Sequence, residues 1–104
     1  MMLTGKCKED FEKWLINQYI ESYKIEEWFY SQSENMKYGV YVDFFDSVGI
    51  QIVINWENGD GFEFWVPEYG WNTNHEDFIP TREKARELSI EKANDIYNNK
   101  NNNP

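Results

Sequence analysis

One cysteine, one histidine and three prolines are all that this 104-residue chain contains of those types. A lone Cys7 closes no disulfide within the chain. A lone His75 leaves every multi-histidine metal pattern unfilled, and neither C-x-x-C nor H-E-x-x-H occurs. No apolar run approaches the length that crosses a bilayer. The opening residues, Met1 to Asp10, hold no apolar core of a secretory signal, so a cytoplasmic protein is expected. Positive charge is scarce as well. Ten Lys and Arg face nineteen Asp and Glu, for a formal charge of −9. That balance disfavours direct binding to nucleic acid, which rewards cations that neutralise phosphates, and docking on anionic lipid. A protein partner with a basic surface suits it better.

Rings are abundant instead. Aromatic residues make up 18% of the chain, within an apolar share of 40%. An acidic disordered segment lacks that apolar content, so a folded domain is expected, with a core built largely from rings. The length allows one domain, expected over residues 1–98, followed by a polar disordered tail over 99–104.

Thr4 is placed to cap a first helix that runs to about Ser22. Leu3, Cys7, Phe11 and Leu15 recur every four residues, and Trp14, Ile16, Tyr19, Ile20 and Tyr23 widen the stripe. Residues 24–32 suit a short helical turn and an extended connector equally. In 34–49, Tyr38, Val40, Val42 and Phe44 alternate like a strand, whereas Asn35, Gly39, Asp43 and Asp46/Ser47 form a polar stripe at helical spacing. Ser33 at the start and Gly49-Ile50 at the end, a Schellman pattern, decide for a helix.

Ile50–Trp56 and Phe62–Val66 each alternate and flank Glu57-Asn58-Gly59-Asp60-Gly61, a hairpin. A two-residue Asn58-Gly59 turn would pair Asn55 with Phe62 and mix the faces. A three-residue loop over Glu57–Gly59 pairs Ile54 with Phe62 and Ile52 with Phe64, and is the register expected. Pro67 ends the second strand or marks it as an edge. A long loop over 68–80, with room for a short third strand, leads to a helix from Thr81 to about Asn98. The inner face of that helix is Ala85, Leu88, Ala93, Ile96 and Tyr97. The expected fold is α+β, in the order α-α-β-β-α, with a small antiparallel sheet of two to three strands packed against helices.

Catalytic motifs fail on spacing. His75 beside Glu76 and Asp77 has the residue types of a base and its orienting carboxylate, but it is a single loop histidine. Cys7 falls on the apolar stripe, where a thiol behaves as a small inert hydrophobe. Read as a calcium loop, Asn58–Gly61 places Trp56 where the first oxygen ligand belongs. No phosphate-cradling or nucleophile-elbow motif occurs. No cofactor and no metal are implied.

Two features stand out. Between Lys37 and Arg82 no Lys or Arg occurs, while Asp43, Asp46, Glu57, Asp60, Glu63, Glu68, Glu76 and Asp77 all fall there. These acids either solvate one side of the domain or form an anionic face for a basic partner. Trp65, Tyr69, Trp71 and Phe78 are interleaved with them, either as rings of an interface or as core beneath the last helix.

Three segments carry a resemblance: Leu3–Trp14, Tyr38–Ile50 and Thr81–Asn98, with Tyr-Gly-Val-Tyr-Val-Asp-Phe-Phe-Asp-Ser-Val-Gly-Ile in the middle one. In these the chain resembles small uncharacterised proteins encoded by phages and prophages of Bacteroidetes-type bacteria. The resemblance implies a context of small acidic accessory proteins that bind host or phage proteins, and it brings no site residues with it.

The expected function is therefore that of a non-enzymatic accessory protein. It binds another protein through a surface drawn from Asp43, Asp46, Glu57, Asp60, Glu63, Trp65, Glu68, Tyr69, Trp71, His75, Glu76 and Asp77. One alternative is a carbohydrate-binding module that stacks sugars on Trp65, Tyr69 or Trp71. Another is a small hydrolase that uses His75 with Glu76 or Asp77.

Overall fold

Each terminal segment of the chain ends up against the other. In a computed structural model, which describes residues 2–18, 21, 24–57, 61–72 and 78–102, three helices and a three-stranded sheet form an α+β fold. The side chains of Glu57, Trp71, Asn72 and Asn102 lie outside that description. In chain order the elements are α1 (Gly5–Gln18), a π-helical turn (Ile25–Tyr30), α2 (Glu34–Ser47), β1 (Val53–Glu57), β2 (Gly61–Val66), a 3-10 turn (Pro67–Tyr69), β3 (Trp71–Asn72) and α3 (Arg82–Asn102).

The four-residue stripe of α1 buries Cys7, Phe11 and Leu15, with Leu3 just ahead of the helix. Tyr19, Ile20, Ser22 and Tyr23 lie outside the described residues. Phe11 is the hub of the core. Its ring centroid lies 5.1 Å from that of Phe29, 5.0 Å from Tyr41 and 5.4 Å from Phe44, in tilted and edge-on arrangements that suit the aromatic quadrupole. The undecided segment 24–32 resolves into the π-helical turn, which drives Phe29 into this cluster.

The segment over 34–49 is a helix, as its caps require. Ser33 Oγ accepts the N–H of Met36 at 3.3 Å. At the other end Gly49 adopts φ +81, its N–H reaches Asp46 O, and Ile50 N–H reaches Phe45 O at 2.8 Å. Those two bonds are the Schellman pair, and buried Ile50 and Phe45 supply its apolar contact. The polar stripe Asn35, Gly39, Asp43, Asp46 and Ser47 faces solvent.

The hairpin register differs from expectation. Ile54 pairs with Phe64 and Trp56 with Phe62, so the connection spans 58–60, two steps from the predicted pairing of Ile54 with Phe62. A shift of two preserves the faces, because side chains alternate with period two, so the apolar pattern tolerates either register. Two contacts favour the one adopted. Trp56 and Phe62 pack at 4.9 Å, and Phe62 exchanges both backbone hydrogen bonds with Ile79 across its other edge. β1 also starts later than expected, at Val53, since Ile50 belongs to the cap of α2.

β2 is the central strand, between β1 and β3, and Pro67 terminates it rather than marking an edge. Its Phe62/Phe64 face, with Ile54, packs on Ala85, Leu88 and Ile79. α3 thus covers the face opposite to Trp65. Thr81 caps α3 through Oγ1, which accepts the N–H of Lys84 at 3.1 Å. The helix continues past Asn98, so the tail expected over 99–104 is helical as far as Asn102. α3 touches α1, α2 and β2 and is the spine of the fold.

Candidate functional site

The acids singled out in the sequence divide among several environments. Asp43 and Asp46 are exposed on the outer face of α2, and Glu68 and Tyr69 are exposed in the 3-10 turn. Glu68 reaches toward the C-terminal end of α2: a Cβ placed on Gly49 would lie 3.6 Å from its Oε2. The last turn of α2 carries no basic residue, so Asp46 and Glu68 sit at the negative end of the helix dipole without a compensating cation on that helix. Glu63 is buried, 6% exposed, and so is not part of a solvent-facing acidic surface. It sits on the central strand, between β1 and β3. Trp65 is half-buried. Asp60, His75, Glu76 and Asp77 lie outside the described residues, as do the side chains of Glu57 and Trp71. Phe78 is half-buried, and its neighbour Ile79 bridges to β2.

Tyr69 is engaged from α3. Lys100 Nζ donates to its hydroxyl at 3.3 Å, leaving that ring in contact with a cation. Cys7 is fully buried, and burial, followed by the nearby Asp10 carboxylate, pushes its thiol up to about 12. A thiol so placed is protonated at neutral pH and poorly nucleophilic. Among the described residues no three of His, Cys, Asp and Glu converge as metal ligands. No described helix is long and apolar enough to cross a membrane.

A second site is lined by no acid among the described residues. Between α2, the hairpin and the start of α3 lies a cavity of about 190 Å³, lined by Tyr38, Ile54, Trp56, Phe62, Arg82 and Arg86. Arg82 and Arg86 are the two arginines of the entire chain. One turn apart on α3, they project to the same side. Arg82 lies over the Phe62 ring at 5.3 Å, and Arg86 over the Tyr38 ring at 5.2 Å. Arg86 also donates to Asn35 Oδ1 at 2.7 Å. Burial raises the Tyr38 phenol, while a hydrogen bond with Ser89 and the Arg86 charge oppose the rise.

In the sequence Arg82 marks the end of a base-free stretch. The i, i+4 spacing of the two arginines is the signal of this site that the sequence carries. The aromatic walls come from three separate elements and had no such signal. No family model matches the chain, and no curated protein or solved structure matches it either.

Proposed function

We propose that this chain is a non-enzymatic accessory protein that binds another protein bearing a basic surface. The phage or prophage setting implied by its sequence resemblance, and a cytoplasmic location, are part of this reading. The observation that supports it best is the acidic group at the C-terminal end of α2. Asp43, Asp46 and Glu68 are exposed, and none of them is paired with a cation among the described residues. Elsewhere four of the lysines are paired with acids of their own helix: Lys6 with Asp10, Lys13 with Glu9, Lys37 with Glu34 and Lys84 with Glu87. An uncompensated negative group at the negative end of a helix opposes the folded state, and a cationic partner relieves that repulsion.

The test neutralises the group, as Asp43→Asn with Asp46→Asn and Glu68→Gln. The parent protein should retain a partner from a bacterial lysate at low salt and release it at high salt, since exposed charge pairs are screened. The triple variant should lose the partner while melting at a higher temperature. Failure of the parent to retain any protein at any salt would count against the reading.

Sugar binding through Trp65, Tyr69 or Trp71 has a different signature, a tryptophan fluorescence change across a glycan panel that is insensitive to salt. Hydrolysis through His75 would be abolished by His75→Gln.

A further inference from the structure

We propose that the cavity between α2, the hairpin and α3 is a binding site for a small aromatic carboxylate, with its anion on Arg82 and Arg86 and its ring against Trp56 and Phe62. Four observations point to this ligand class.

Charge is the first. In a chain of net charge −9, both arginines line one cavity, and neither is ion-paired with a carboxylate among the described residues. A guanidinium offers five N–H donors in a planar fork that matches a carboxylate. Arg86 spends one of these on Asn35, and Arg82 makes no hydrogen bond among the described residues.

Orientation is the second. Each guanidinium lies over a ring, Arg82 on Phe62 and Arg86 on Tyr38. Stacking holds the cation while leaving its N–H edge available, so ordering entropy is partly spent before a ligand arrives.

The third is the apolar wall. Trp56 is 54% exposed beside Phe62, an unusual cost for so large a ring on a hairpin. Ile54 adds to this apolar wall next to the two cations. Pockets that combine such a wall with a few convergent polar groups suit small organic ligands. A space of about 190 Å³ has room for a bicyclic ring and its acid group.

The fourth separates carboxylate from phosphate. Glu34, Glu83 and Glu87 surround the other side of Arg86. Every added negative charge on a ligand is repelled by these acids and by the net charge of the chain, so a monoanion is favoured over a phosphate dianion.

The experiment titrates the intact chain with 1-naphthoate, its neutral amide 1-naphthamide, and adenosine monophosphate. Heat and tryptophan fluorescence are the readouts. Naphthoate should bind with a dissociation constant at or below the millimolar range, and naphthamide and the nucleotide at least about tenfold more weakly. Arg82→Gln and Arg86→Gln should each weaken naphthoate by about tenfold or more, and Arg86→Lys should recover only part of that loss. Trp56→Ala should remove the fluorescence response. Circular dichroism identifies any variant that fails to fold. Arg82 and Trp56 are exposed, so their variants decide the matter if Arg86→Gln does not fold. Equal binding of acid and amide, tighter binding of the nucleotide, no binding of naphthoate in the millimolar range, or arginine variants that bind as the parent does would each overturn the proposal.

Discussion

Asn98 Oδ1, near the end of the last helix, accepts the backbone N–H of Cys7 at 2.8 Å, in the first turn of the first helix. Its Nδ2 returns to the carbonyl of Thr4 at 3.0 Å. One turn earlier, Asn94 Oδ1 accepts Thr4 N–H at 2.9 Å and its Nδ2 donates to Thr4 Oγ1 at 3.0 Å. The sequence places Thr4 to cap α1 with its own hydroxyl. That hydroxyl serves Asn94 instead, and a side chain of α3 does the capping. Orphan N–H groups at a helix start need an acceptor, and the source of that acceptor is immaterial to them.

Asn98→Ala should therefore destabilise the domain by about 1–2 kcal/mol, the cost of a lost cap together with a part-buried hydrogen bond. Asn98→Asp keeps the acceptor for Cys7 and loses the donor to Thr4, so it should fall between parent and alanine. Urea unfolding midpoints at unchanged slope measure both.

Gly39 and Gly61 should respond to alanine with opposite signs. Gly39 lies inside α2 on its exposed stripe, and a Cβ there would meet nothing within 4 Å. Gly39→Ala should stabilise by about 0.5–1 kcal/mol. Gly61 has φ +126, and its Cβ would lie 2.7 Å from Ile79 O. Gly61→Ala should cost about 2–3 kcal/mol, through backbone strain and loss of the Phe62–Ile79 bridge. Thermal melts of the two variants provide the comparison.

Alkaline stability should carry the mark of Cys7. Burial holds its folded thiol at about 12, against roughly 8.5 in an unfolded chain. A raised folded value contributes stability that is complete below the unfolded value and lost as pH climbs through the folded one. Stability should thus decline from about pH 8.5 upward, before the raised phenols of Tyr30, Tyr41 and Tyr97 add to the loss. Cys7→Ala should flatten the slope of melting temperature between about pH 8.5 and 10. Iodoacetamide should label the native thiol far more slowly than the unfolded one.

Acid should weaken the domain through Asp10. Burial alone would raise its carboxyl, but the hydrogen bond from Tyr97 at 2.5 Å and the Lys6 ammonium at 3.1 Å together hold it below the usual carboxylate range. A lowered folded value contributes stability that is present above about pH 3.9 and lost as pH falls through the folded value. Asp10→Asn should flatten the acid limb of a stability-versus-pH profile, as should Tyr97→Phe.

The chain's own pattern determined every element that local rules govern. The stripe of α1, the Ser33 and Thr81 caps, the Gly49-Ile50 Schellman end and the alternation of the hairpin all rest on neighbours a few residues apart. Hydrogen-bond reach and side-chain periodicity act over that range. Contacts between distant segments had no such signature. The hairpin register turned on Ile79, seventeen residues beyond Phe62, because a two-step shift leaves the face pattern intact. The burial of Glu63 and the capping of α1 by Asn98 depended on packing between elements. The arginine–aromatic cavity belongs with these. Its cations are four residues apart on α3, but its walls come from α2 and both strands of the hairpin, and only folding makes them neighbours.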